Sequence, residues 1–397
     1  MVVEEGSGGP ALLRRLNTAA VLRAIRDAGA PVRIAELVEA AQLTRPTVKQ
    51  ALGDLLSSGW IAEDRDPSRA GPGRPAVRYA LAPRALPVLG VDLGPHRLSV
   101  AVGDLTGDQL ALVRRRTDPD DVLGCLDEAI DTALAQAGLS ITDVCEIVAA
   151  CPGIVDSERG SLRFAPSLPG PPDLVDHLRA RAGCPVRLEN DANMAALVCA
   201  AGHPGQTLVV VHWGERLGAG IVVGGKLLRG ANSAAGEIGV APTGGDRITF
   251  DRQGRGPLER EIGARGIVAR ARTAALADTS SRLAAGPLTP EAVFEAAAAG
   301  DRAAAAVVDT VARTFMTVLA PILLALDPDQ LVIGGGLARA GEALLDALRP
   351  QLELMTLSPP ALRLSPLAEQ GTLAGAVQLA RDEVWRRCLA EPTPTEG

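Results

Sequence analysis

Thr44, Arg45, Thr47, Lys49 and Gln50 bring five polar or charged side chains into one short stretch. Such a set suits the edges of DNA bases, since an Arg fork matches guanine and a Gln amide matches adenine. Each match discriminates by about 1–3 kcal/mol. Val48, Leu52 and Leu55 are apolar at helical spacing, so one helix face would pack inward while the polar set faces out. A plain solvated helix face is the alternative reading. Further on, Gly73-Arg74-Pro75 resembles a hook that lays Arg74 into a narrow, electronegative AT-rich minor groove. A proline-rich hairpin tip is its bland counterpart.

The elements that must position these residues read as follows. Residues 17–57 carry three helical periods: Val21, Leu22 and Ile25, then Ile34, Leu37 and Val38, then Val48, Leu52, Leu55 and Leu56. Thr44 is placed to cap the third helix, Pro46 fits its first turn, and Gly59 stops it. Residues 60–62 and 76–81 read as two strands around a polar loop. Three helices and a two-stranded wing make a winged helix-turn-helix over residues 1–85, with the linker at Pro83–Pro87. Its third helix would enter the major groove of double-stranded DNA.

From residue 88 the pattern changes to apolar strands ending in Gly turns. Residues 88–94, 98–102 and 109–113 read as a β-meander, and 208–211, 218–223 and 226–228 repeat it. Ile147–Gly153 and Leu331–Gly336 each end a strand in a Gly turn. The repetition implies a duplicated α/β fold with a cleft between halves, where small ligands bind.

Composition removes several classes. The chain has 397 residues, 47% apolar and 22% charged, enough for two to three globular domains. Aromatics are only 2%, which argues against a stacking platform for single-stranded nucleic acid. A net charge of −7 argues against nucleic acid only as an average. Residues 1–85 hold 12 basic and 9 acidic side chains, against 28 and 38 in the remainder. A mildly basic head sits on an acidic body. The six Cys lack paired spacing and are expected as reduced core thiols. No basic region followed by an apolar stretch opens the chain, and the apolar run Phe315–Leu326 is too short to span a bilayer. A soluble cytoplasmic protein without membrane contact is expected.

Six segments together resemble the ROK family of repressors and sugar kinases. They are Val91-Asp92-Leu93-Gly94, Cys151-Pro152-Gly153-Ile154-Val155, Glu189-Asn190-Asp191-Ala192-Asn193, Gly218-Ala219-Gly220-Ile221, Gly236-Glu237-Ile238-Gly239 and Gly334-Gly335-Gly336. The resemblance implies an α/β, actin-like ATPase (duplicated ribonuclease H-like) ROK domain over residues 86–390, with lobes at about 86–205 and 206–370 and a C-terminal helix at 371–390. The amino-terminal head places the chain with the family's transcriptional regulators, because its sugar kinases lack that domain.

The resemblance also implies roles. Asp191 stands where the kinases keep their catalytic base, as a relic. The first phosphate loop here reads Asp92-Leu93-Gly94-Pro95-His96, and Pro95 removes a backbone donor. The second reads Gly214-Glu215-Arg216-Leu217-Gly218, with a carboxylate where phosphate would lie and Arg216 available to offset it. The family's zinc-binding His is Val240 here, and Phe250, Arg252 and Pro257 fill its thiolate positions, so no metal is expected. His96, His177, His203 and His212 are expected to be structural or solvent-facing. Asn190, Asp191, Glu237 and Glu259 remain as a sugar-facing set. The expectation is a non-enzymatic repressor of carbohydrate-related genes, without cofactor. It would act as a homodimer or homotetramer on an inverted-repeat operator with AT-rich flanks, and respond to a sugar. A different effector, no effector, or an active sugar kinase with an appended head are the alternatives.

Overall fold

The computed structural model describes residues 9–64, 77–168, 173–244 and 247–389. The head consists of α1 (Gly9–Ala28), β1 (Val32–Arg33), α2 (Ile34–Ala41), α3 (Arg45–Ser57), β2 (Ile61–Asp64) and β3 (Arg78–Leu81). Val21, Leu22, Ile25, Leu37, Val48, Leu52 and Leu55 close its core against Ile61 and Tyr79. Two details correct the sequence reading. First, α1 begins at Gly9 rather than near 17, because Leu12 and Leu13 are exposed and contribute no inward period. Second, the wing is three-stranded in the order β1-β3-β2. Two residues of β1 are too few to show alternation.

The first lobe follows: β4 (Val88–Leu93), β5 (Arg97–Gly103), β6 (Gln109–Arg116), α4 (Val122–Ala137), β7 (Glu146–Cys151), β8 (Ile154–Asp156), β9 (Ser161–Phe164), α5 (Leu174–Ala182), β10 (Val186–Asn190) and α6 (Asp191–Ala200). The second lobe holds β11 (Leu208–Trp213), β12 (Leu217–Val223), β13 (Lys226–Leu227), α7 (Pro257–Ile262), α8 (Ala264–Ala277), α9 (Pro290–Ala298), α10 (Arg302–Leu326), β14 (Gln330–Gly334), α11 (Glu342–Met355) and β15 (Ala361–Leu364). The final helix is α12 (Gly371–Leu389).

The two five-stranded sheets run β10-β7-β4-β5-β6 and β13-β12-β11-β14-β15. Read from opposite ends, they are one topology used twice. In each, the central strand pairs antiparallel with the next strand and parallel with the strand after the meander. The lobes then exchange helices. α6, which ends the first lobe's chain, packs on β11 and β12, while α12 packs on β4, β5 and β7. The two helices cross tightly: a Cβ on Gly375 would collide with the Met194 carbonyl.

α10 corrects a further expectation. It extends well beyond the apolar run and is long and apolar enough, by length and composition, to cross a bilayer. Its Val311, Phe315, Met316, Leu319 and Leu323 are buried in the second lobe's core. The linker is stapled to the first lobe, with the Arg84 amide donating to the Asp104 carboxylate at 2.9 Å. Arg23 also donates to the Leu389 carbonyl at 3.3 Å, joining α1 to α12.

Candidate functional site

On the head, α3 presents Arg45, Lys49 and Gln50 to solvent, and none has a partner among the described residues. Thr44 and Thr47 are occupied with each other. The Thr44 hydroxyl oxygen accepts the Thr47 amide at 3.4 Å, and the two hydroxyls lie 2.8 Å apart. These threonines therefore fix the first turn that aims Arg45. Arg14 of α1 holds α3 from behind, its Nε donating to Asp54 at 2.7 Å. Arg74 lies outside the described residues.

Between the lobes lies a cleft of about 1190 Å³, lined on one side by Asp92, Arg97 and Asp191 and on the other by His212, Glu215 and Arg265. A cavity of about 60 Å³ adjoins it, and Asn190, Asp191, Glu237 and Glu259 all line it. Local structure explains their convergence. Asn190 ends β10 and caps α6: its Oδ1 accepts the Asn193 amide at 2.9 Å, and its Nδ2 donates to the Gly153 carbonyl at 3.0 Å. Asp191 opens α6, and its Oδ1 accepts the Ala192 amide at 2.8 Å. Glu237 follows Gly236, whose φ of +87° and contact with the Ala219 carbonyl leave no room for a side chain. Glu259 forms the wall: its carboxylate accepts the Gly256 and Leu217 amides at 2.7 and 3.2 Å and pairs with Arg216 at 3.3 Å.

Asp191, Glu237 and Glu259 make the inner cavity acidic, whereas Arg97, Arg116, Arg216, Arg252, Arg265 and Arg339 line the outer cleft. Burial, and then repulsion by Asp191, push the Asp92 carboxyl up to about 7, with Arg97 opposing. Burial, with repulsion by Asp191 and Glu259, pushes Glu237 up to about 7. Carboxyls that titrate near neutrality can donate as well as accept, which suits polyol hydroxyls. Burial also raises the thiol of wholly buried Cys151, leaving it unreactive at neutral pH. Beneath the site, Glu189 is completely buried and pairs with Arg229 at 2.6 Å and Ser157 at 2.9 Å.

The loops expected to hold phosphate are engaged otherwise. The Gly94 amide donates to the Arg97 carbonyl at 2.9 Å, and Pro95 has no amide hydrogen. Glu215 pairs with Arg265 at 3.0 Å and lies 3.9 Å from His96. Arg216, expected to offset Glu215, instead turns to Glu259 and to the Gly254 carbonyl, at 3.3 and 2.5 Å. The segment expected at the zinc site offers no soft ligand: Phe250 packs on Phe164, Arg252 lines the outer cleft, and Pro257 is buried at the start of α7. Hydrogen bonds knit this loop, with Asp251 accepting the Gln253 and Arg255 amides at 2.9 Å each.

Sequence reasoning missed four cleft residues: Asp92 as a site group, His212, Phe164 and Phe250. His212 was expected to be structural or solvent-facing, yet it lines both the outer cleft and the inner cavity, and its Nδ1 is buried without a partner among the described residues. The available signal was position, since Asp92 and His212 are polar residues near the carboxyl ends of central apolar strands, where α/β sheets bind ligands.

The sequence profile of the ROK family matches residues 88–383, and that of the IclR helix-turn-helix domain matches residues 16–65. A glucokinase of Halalkalibacterium halodurans is 30% identical over 74% of this chain and 95% of its own length. The DNA-binding transcriptional repressor Mlc of Escherichia coli is 25% identical over 98% of both chains. The crystal structure of a ROK family transcriptional regulator homologous to that Mlc protein shares the fold, with a TM-score of 0.73 and 24% identity over 96% of this chain and all of the other.

Proposed function

The chain belongs to the ROK family, and we propose that it is a DNA-binding transcriptional regulator, a repressor of carbohydrate-related genes, whose body senses a sugar or sugar-derived effector. One observation carries this reading. The similarity to the Mlc repressor runs through head and body alike, over 98% of both chains, whereas the glucokinase similarity covers 74% of this chain.

In this reading residues 1–85 bind DNA and residues 86–390 bind the effector. Arg45 and Gln50 read base edges, Lys49 contacts phosphate, Thr44 and Thr47 hold the helix start, and Arg74 enters the minor groove beside the site. One weakly basic head binds feebly, so two heads on a symmetric homodimer or homotetramer would read an inverted repeat through avidity. The effector sits against Asn190, Asp191, Glu237 and Glu259. By binding one arrangement of the lobes better than the other, it shifts operator affinity. The protein works in the cytoplasm, where its DNA is.

The body does not phosphorylate the sugar. The kinases of this family use a nucleotide and metal at the two loops that here carry Pro95 and Glu215. Pro95 takes a backbone donor from the first loop, and Glu215 occupies the second, tied to Arg265. The second reading, a sugar kinase with an appended head, is favoured by Asp191, which keeps its place in the cleft.

The test has two arms. Genome-wide binding sites yield an operator, from which hexoses, pentoses, N-acetylhexosamines and their 6-phosphates are screened for release of the protein. A coupled ATPase assay with the same panel follows. Release without ATP turnover is expected. Turnover abolished by Asp191→Ala would establish the kinase reading instead.

A further inference from the structure

The chain has four Phe residues. Phe294 and Phe315 are buried in the second lobe's core, as expected of the largest apolar side chains. Phe164 and Phe250 are not: they are 41% and 40% exposed, and their rings touch, with centroids 5.2 Å apart and planes tilted by 57°. A single exposed apolar residue needs no explanation, but a paired one at a cavity wall does. Phe164 ends β9 in the first lobe, while Phe250 stands in the second lobe's loop before α7. Both line the inner cavity together with Asn190, Asp191 and Glu237.

The lining of the cavity thus combines carboxylates and an amide with two aromatic rings. A pyranose has the matching character, with hydroxyls around its rim and C–H groups across its face. Ligand sites combine an apolar lining with a few placed polar groups in this way. We propose that Phe164 and Phe250 form an aromatic clamp, one ring from each lobe, that takes the apolar face of a pyranose and selects among sugars by the substituents there. The inference rests on the sugar-sensing reading of this pocket.

The two rings are carried by separate elements. Arg216 holds the Phe250 loop through the Gly254 carbonyl, and the β8–β9 hairpin carries Phe164. As it stands, the cavity of about 60 Å³ is far below the roughly 300–1,000 Å³ of ordinary ligand pockets. A bound sugar therefore requires the lining, the two rings included, to move outward. Once inside, it touches both lobes and fixes their spacing.

The small number of Phe residues makes a direct test possible. Full-length protein carrying 4-fluorophenylalanine gives four fluorine resonances, assigned with Phe164→Leu and Phe250→Leu. It is titrated with the named sugar panel, and binding is read independently as a thermal shift that Glu237→Gln removes. The expected result is a binding sugar that moves the Phe164 and Phe250 resonances and leaves those of Phe294 and Phe315 in place. Phe164→Ala and Phe250→Ala should each weaken that sugar roughly tenfold or more. Because both side chains are partly exposed, the variants should fold, which unchanged Phe294 and Phe315 resonances would verify. Binding that spares the Phe164 and Phe250 signals, with unchanged affinity in the alanine variants, overturns the clamp but leaves the sugar pocket standing. No binding by any sugar overturns the pocket reading and the clamp with it.

Discussion

Asp92 and His212 hold the same place in the two halves of the molecule: each is the fifth residue of a six-residue central strand, β4 or β11, and both line the cleft. The duplicated topology thus points two copies of one strand end at a shared space. It then furnishes that space differently, with a carboxyl from one half and an imidazole from the other. Asp191, one residue beyond the end of β10, adds a second carboxylate to the first half's contribution.

This acidity predicts a pH dependence. Asp92 and Glu237 titrate near 7 in the folded protein, against about 4 in an unfolded chain. Between those limits the folded state binds more protons than the unfolded one. Stability contributed by these groups therefore falls as pH rises from about 4 to 7, by at most about 1.4 kcal/mol per pH unit for each. Thermal unfolding from pH 5.5 to 8.5 should give a lower melting temperature at the alkaline end. Asp191→Asn removes a repulsion felt by both groups and should flatten the slope. An unchanged slope in that variant would show that the two carboxyls do not respond to Asp191.

The head predicts three distinguishable classes of variant. Arg45→Ala and Gln50→Ala remove base-reading groups and should each cost about 1–3 kcal/mol while relaxing specificity at one operator position. Lys49→Ala should weaken all sequences equally and reduce the salt slope by about one. Thr44→Ala acts through its cap and should lower head stability by about 1 kcal/mol. Operator titrations at several salt concentrations, with thermal unfolding, separate the three. Equal loss on all sequences for Arg45→Ala would remove it from base reading.

Much of this is legible in the sequence. The helices of the head announce themselves by apolar spacing, and Thr44 and Pro46 mark the start of α3. The repeated strand-Gly pattern gave the duplication, and the ordered motifs gave the family. What was not legible depends on contacts distant in sequence. Glu259 reads as a ligand group, and local sequence does not show that its oxygens also accept from Gly256, Leu217 and Arg216. Arg216 reads as the partner of Glu215, but Arg265, some fifty residues on, takes that role. Phe164 and Phe250 sit in unremarkable local sequence and acquire meaning only when the lobes face each other. The exchange of α6 and α12 between lobes leaves no periodic signal, because each helix is apolar toward whichever sheet it meets.

That exchange predicts a sensitive point. Gly375 lets α12 rest on the Met194 carbonyl, so Gly375→Ala must push the two helices apart. Overpacking of this kind costs about 1–3 kcal/mol. The melting temperature should fall by several degrees, more than for Gly53→Ala on the open side of α3, where a Cβ meets nothing within 4 Å. Equal effects would mean that the crossing relaxes without strain.

The same helix joins the cleft to the head. Near its start, the Thr372 hydroxyl donates to the Asp191 carbonyl at 3.2 Å. Near its end, Trp385 lies under Arg26 of α1, with the guanidinium carbon 5.3 Å from the ring centroid. Nineteen helical residues span about 28 Å as one rigid element. On the proposed reading, a shift of α6 against the second lobe would reach the head through α12, with the Arg26–Trp385 contact as its last step. Arg26→Ala removes a contact worth about 0.5–1 kcal/mol, too little to unfold the head. It should leave sugar binding in the cleft unchanged and reduce the factor by which sugar changes operator affinity. Operator titrations with and without saturating sugar, in wild type and variant, measure that factor. If it is unchanged, the signal passes instead through the linker, where Arg84 is fastened to Asp104, and Asp104→Ala becomes the variant that should lose it.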